Sequence, residues 1–122
     1  MEKEFVPYEL AVKIKELGFA EPCIAGYSNS TEKLEFYSRP LVTKDSFTVD
    51  APTFSQVFRF FREKYDLFGI ILPYLIIGNQ WYYKITNRNN SSGLPFEEGF
   101  DTYEEAELNC LKKLIQIVKE IR

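Results

Sequence analysis

The chain contains no histidine, which removes the commonest general base and the commonest neutral metal ligand together. Ser-His-Asp and Cys-His nucleophile systems are excluded with it, as are zinc sites built on imidazole. Cysteine is scarce: Cys23 and Cys110 are the only two, they form no CxxC spacing, and two thiols cannot fill a four-ligand zinc site. Neither a GxxxxGKS/T run nor a GxGxxG run occurs, so the familiar phosphate-cradling loops are missing. No apolar stretch approaches the roughly 18 residues that a membrane span needs. The opening Met1-Glu2-Lys3-Glu4 also lacks the basic-then-apolar pattern of a signal peptide. These absences set the expectation of a soluble, cytoplasmic protein that is not an enzyme, uses no cofactor or metal, and keeps both thiols reduced.

What remains is an apolar, aromatic-rich chain of 122 residues, 45% hydrophobic and 16% aromatic. That length fits one domain spanning 1–122, and the composition is far from that of a disordered segment. Eight Tyr and eleven Phe exceed what a core of this size can hide, which points to aromatic surface held for a partner or a second copy.

Three segments carry helix signals. Pro7 suits a helix start, Leu10, Ile14 and Leu17 recur at helical spacing, and Gly18 followed by Phe19 is the signature of a left-handed C-cap. Thr53 with Gln56 three residues later forms a capping box. It opens a second helix with Phe54, Val57, Phe58, Phe61 and Tyr65 on one face, Arg59, Arg62, Glu63 and Lys64 on the other, and Phe60 just off the apolar stripe. The third helix has overlapping caps at Asp101/Glu104 and Thr102/Glu105 and runs to about Ile121. Its centre is expected at Tyr103, Ala106, Cys110, Leu114, Ile117, Val118 and Ile121, flanked by Leu108, Leu111 and Ile115.

Between the helices lie two hairpin patterns. The first pairs 23–27 with 33–37. The second pairs 68–77 with 80–86 across Gly78-Asn79, residues that tolerate the backbone of a tight turn. Pro73 cannot donate a ladder hydrogen bond, so its strand is placed at an edge or a bulge. A short extra strand is suggested at Phe47-Thr48-Val49, and the Asn-, Ser- and Gly-rich stretch 87–100 reads as a loop. The Asn29-Ser30-Thr31 and Asn90-Ser91-Ser92 matches to a glycosylation site read as turns. The order α-β-β-α-β-β-α predicts an α+β fold, an antiparallel sheet of about four strands with helices mainly on one face.

Two surfaces stand out. Phe60, Phe68 and Tyr82 are candidates for a protein interface, including one that makes a homodimer, because a nearly all-apolar strand at a sheet edge rarely stays bare. Arg59, Arg62 and Lys84 form a candidate basic and aromatic contact for nucleic acid. The net charge of −3 weighs against that second reading, since phosphate neutralisation favours a basic domain or face. The acids Glu97, Glu98, Asp101, Glu104, Glu105 and Glu107 have a plain explanation as carboxylates gathered near a helix N-terminus.

Phe5-Val6-Pro7-Tyr8-Glu9, Lys15-Glu16-Leu17-Gly18-Phe19, Ala51-Pro52-Thr53, Phe61-Arg62-Glu63-Lys64-Tyr65 and Tyr103-Glu104-Glu105-Ala106 occur in this order. Together they resemble small uncharacterised proteins carried by phages and prophages of Bacteroides-type bacteria. The resemblance implies a bacterial, intracellular origin and brings no activity or site residue with it.

Overall fold

The computed structural model describes residues 2–76, 78–88 and 95–121. The chain divides into two compact units, Met1–Val57 and Phe58–Arg122, each with its own three-stranded antiparallel sheet.

In the first unit Pro7 stands just outside helix α1 (Tyr8–Glu16), with φ −59° and ψ 154°. Its carbonyl accepts from the amides of Leu10 and Ala11. Gly18 takes φ +98° and donates to the Lys15 carbonyl at 3.0 Å, while the Phe19 amide reaches back to the Ile14 carbonyl at 3.3 Å. These are the paired bonds of a Schellman motif, so the stop read from Gly18-Phe19 holds in detail. Strands β1 (Cys23–Ser28), β2 (Leu34–Leu41) and β3 (Thr48–Asp50) follow in the spatial order β2-β1-β3. The short strand suggested at positions 47–49 is therefore present, shifted by one residue. Residues 29–31 form a turn, closed by the Glu32 amide on the Ser28 carbonyl at 2.7 Å. The Asn29 side chain makes longer-range bonds, its amide donating to the Ser46 carbonyl at 2.8 Å and its carbonyl oxygen accepting from the Tyr8 hydroxyl. Leu10, Ala11, Ile14, Cys23, Ala25, Val49 and Ala51 are buried.

Helix α2 (Phe54–Tyr65) opens as the sequence dictates. The Gln56 amide donates to Thr53 Oγ1 at 3.2 Å and the Thr53 amide to Gln56 Oε1 at 3.0 Å, which satisfies two otherwise orphan donors. Its buried face is wider than the stripe read from sequence. Phe60 is only 6% exposed, because it lies three residues beyond Val57 on the same side of the helix. Its ring meets Phe61 and Tyr65 edge-on, at centroid distances of 5.4 and 5.8 Å.

The second unit holds β4 (Phe68–Pro73), β5 (Trp81–Thr86), β6 (Phe96–Phe100) and α3 (Tyr103–Ile121), with the strands in the order β4-β5-β6. Two expectations are corrected here. Among the described residues there are six strands in two sheets rather than about four in one. The stretch 87–100, read as a loop, ends in a strand that pairs with β5. Residues 89–94, with the Asn90 turn, lie outside the described residues, as does Ile77. Pro73 sits at the end of an edge strand, where its missing donor costs least. Pairing stops there, at Pro73↔Trp81, so the connection is longer than the tight turn read at Gly78-Asn79. The Tyr74 amide closes it on the Gln80 carbonyl at 2.8 Å, and Asn79 takes the left-handed conformation at φ +66°.

Helix α3 caps on Thr102, whose Oγ1 accepts from the Glu105 amide at 3.1 Å, while the Glu105 carboxylate accepts from the Asp101 amide. Glu104 and Glu105 are thus helix-start chemistry, whereas Glu97 and Glu98 lie in β6, where Glu97 accepts from the Tyr83 hydroxyl and Glu98 is hydrogen-bonded to Tyr74. The buried arc of α3 is Ala106, Cys110, Leu111, Leu114, Ile115 and Val118. The arc is rotated toward Leu111 and Ile115 from the expected centre, which leaves Tyr103 and Ile121 exposed. A Cβ built on Gly69 would stand 2.6 Å from Phe58 Cε1 and 2.8 Å from Cys110 Sγ. The sheet face carrying Gly69, Ile71, Tyr83 and Ile85 is therefore the one that both helices cover.

Candidate functional site: an aromatic sheet face

The register fixes what the other face carries. Opposed residues of an antiparallel pair share a face. Phe68↔Thr86, Ile70↔Lys84 and Leu72↔Tyr82 on one side of β5, with Tyr82↔Glu98 and Lys84↔Phe96 on the other, define a face turned away from α3. Tyr82 is its centre. The Tyr82 ring lies 5.3 Å from Phe96 and 5.9 Å from Tyr74, an edge-on and tilted cluster of the kind aromatic quadrupoles favour. The Tyr74 hydroxyl is hydrogen-bonded to Glu98, and that bond, with the carboxylate charge, raises the phenol pKa.

The face runs on into the β4–β5 loop. Leu75 is 91% and Ile76 86% exposed, two neighbouring aliphatic side chains with nearly all of their surface in water. Scattered exposed leucines need no explanation. An adjacent pair that follows Tyr74 directly in the chain, next to the ring cluster of Tyr74, Tyr82 and the 55% exposed Phe96, is a concentration of exposed apolar residues that calls for an explanation.

Of the residues singled out in the sequence, Phe68, Tyr82 and Lys84 come together on this face. Phe60 does not belong to an open surface, since it is buried. Arg59 and Arg62 are exposed on α2, with Arg59 3.8 Å from Glu63. Because Phe58 of the same helix packs against the Gly69 side of the sheet, Lys84 lies on the opposite face from α2. The structure thus separates Lys84 from the two arginines. Sequence reading missed Tyr74, Leu75, Ile76 and Phe96, and placed Glu98 among the helix-start acids instead of in β6. The first three were absorbed into an apolar strand, and Phe96 and Glu98 lay in a stretch whose Asn, Ser and Gly content signalled a loop.

Six of the eleven phenylalanines are buried, at positions 5, 19, 54, 58, 60 and 61. The aromatic surplus read from composition therefore appears as surface at Phe36, Phe47 and Phe96. Among the described residues no three acidic or thiol side chains gather closely enough to hold a metal ion, and no helix is long and apolar enough to cross a membrane. Comparison with protein-family models, with curated proteins and with solved structures finds no match to this chain.

Both thiols are free and buried. Burial, helped by Asp50 and Glu21, pushes Cys23 from 9.0 up to about 12. Burial, helped by Glu107, does the same to Cys110. Such thiols are poor nucleophiles. Native protein at pH 8 is expected to resist iodoacetamide, with both cysteines alkylated once it is denatured. A mass two units lower with no label would reveal a disulfide instead. Stability follows the same shifts. Above pH 9 the unfolded chain gives up thiol protons that the folded chain keeps, so it binds fewer protons and stability falls with rising pH. The contribution is complete below pH 9 and lost by about pH 12. Tyr37 and Tyr83, both raised chiefly by burial, act in the same direction, so melting temperature should drop steeply in that window.

Proposed function

We propose that this chain is a non-enzymatic interaction protein, of bacterial or phage type, that self-associates through the outer face of β4-β5-β6 and the Leu75-Ile76 tip. One observation carries the reading: a ring cluster of Phe96, Tyr82 and Tyr74 that is followed in the chain by two almost fully exposed aliphatic residues. A second copy is favoured as occupant because the face is self-complementary in charge. Lys84 and Glu98 flank Tyr82, so a two-fold arrangement that stacks the aromatic clusters can bring the lysine of each copy to the glutamate of the other. The edge of β4 supports the same reading, since among the described residues β4 pairs on one side only. The resemblance of the helix caps and turns to phage and prophage proteins supplies the origin and no more.

Leu75→Asp and Ile76→Asp are the informative variants. Surface substitutions away from packed features usually move stability within about 0.5 kcal/mol, so each should fold as before and lose self-association. Phe60→Asp is unsuitable as a surface probe, because it would bury an unpaired charge.

A further inference from the structure

The first unit contains a half-open cleft of about 290 Å³, whose walls include Lys15, Phe19, Ala20, Val42, Thr43 and Asp50. The Schellman turn that ends α1 supplies one wall, and the connector between β2 and β3 supplies the other. Asp50, the last residue of β3, closes it. The Asp50 carboxylate is held in place by two donors: the Tyr37 hydroxyl at 2.7 Å on Oδ1 and the Thr43 amide at 2.9 Å on Oδ2. The Thr43 hydroxyl donates in turn to the Tyr37 oxygen at 3.1 Å. Gly26 makes room for this arrangement, because a Cβ there would overlap the Tyr37 hydroxyl.

A carboxylate has about four lone-pair sites, and two of Asp50's are used. Among the described residues neither Asp50 nor Lys15 is part of an ion pair. The lining therefore combines Asp50, a fixed and half-buried carboxylate, with Lys15, an exposed lysine outside any ion pair, and with the apolar residues Phe19 and Val42. A few convergent polar groups in an otherwise apolar concavity are the usual make-up of a small-molecule site.

We propose that this cleft binds a small zwitterionic amino acid with an aliphatic side chain. Its ammonium donates to Asp50, its carboxylate pairs with Lys15, and its side chain lies against Phe19 and Val42. A molecule with only one of the two charges leaves the other protein group unmatched. The site lies wholly in the first unit and is independent of the self-association surface.

Titration of the full chain with L-leucine, followed by the backbone amide resonances of Gly18, Ala20 and Thr43, tests the assignment. The half-charged analogues 3-methylbutylammonium and 4-methylpentanoate serve as comparisons. Saturable shifts at these amides are expected with leucine, and severalfold weaker binding with either analogue. Lys15→Ala changes only an exposed helical side chain, so it should keep the spectrum dispersed and weaken leucine severalfold while leaving the ammonium analogue unchanged. Absence of saturation with leucine would overturn the proposal. So would an analogue that binds as tightly as leucine, or leucine binding unmoved by Lys15→Ala.

Discussion

Leu114→Ala is expected to destabilise the protein by about 2–5 kcal/mol, the range for a buried leucine cut back to the β-carbon where the surroundings relax only partly. Leu114 has no exposed surface and lies in the middle of the buried arc of α3, between Cys110 and Val118. The lost methyl groups and the cavity left behind act together. Because α3 covers one face of the β4-β5-β6 sheet, the loss should appear as a lower urea midpoint for unfolding of the second unit, with its slope unchanged. A change below about 1 kcal/mol would mean that the site collapses freely, which a close-packed helix–sheet interface does not allow.

Gly69→Val is the second large effect. At Gly69 β4 lies close against both helices, and a Cβ there already intrudes on the Phe58 ring and the Cys110 sulfur. Both neighbours are buried, so neither can move into solvent. Overpacking of this kind costs about 1–3 kcal/mol, through off-rotamer side chains and backbone shift. Valine adds two further methyl groups, so it should lower the melting temperature more than Gly69→Ala does. Equal melting temperatures for valine, alanine and glycine at this position would show a looser fit than the geometry gives.

How much of this was legible before the structure depends on how local each signal is. The capping box at Thr53 and Gln56 and the Schellman stop at Gly18 and Phe19 are short-range hydrogen-bond patterns that appear with the donors and acceptors expected. At the third helix Thr102 caps as expected, while the Glu105 carboxylate takes the Asp101 amide instead of that of Thr102. Pro73 announced its edge position for the same reason: the constraint is carried by one residue. Strand β6 was not legible. Phe96-Glu97-Glu98-Gly99-Phe100 has no β-branched residue, includes a glycine at φ +94°, and owes its extended form to pairing with β5. The missing strand and the short β3 each extend one of the two hairpins, which form separate sheets of three strands among the described residues instead of one sheet of about four.

Phe60 shows the complementary error. An apolar stripe read at ideal spacing is narrower than the arc a helix buries when large aromatic rings lie side by side. The residues of the outer β4-β5-β6 face divide along the same line. Phe68, Tyr82 and Lys84 follow from strand alternation and do share a face. Leu75 and Ile76 were hidden inside a continuous apolar run, which periodicity alone could not separate from a buried strand. The cleft beside Asp50 draws its walls from residues 11–20, 42–43 and 50, and no local pattern brings those segments together.

Sedimentation velocity over a concentration series reaching tens of micromolar tests the proposed self-association most directly. Wild type is compared there with Leu75→Asp and Ile76→Asp. The wild-type chain should shift reversibly from one chain toward two as concentration rises, and both variants, with melting temperatures near wild type, should stay at one. A wild type that remains a single chain throughout, or variants that associate as it does, would contradict the assignment of the β4-β5-β6 face as the working surface of this protein.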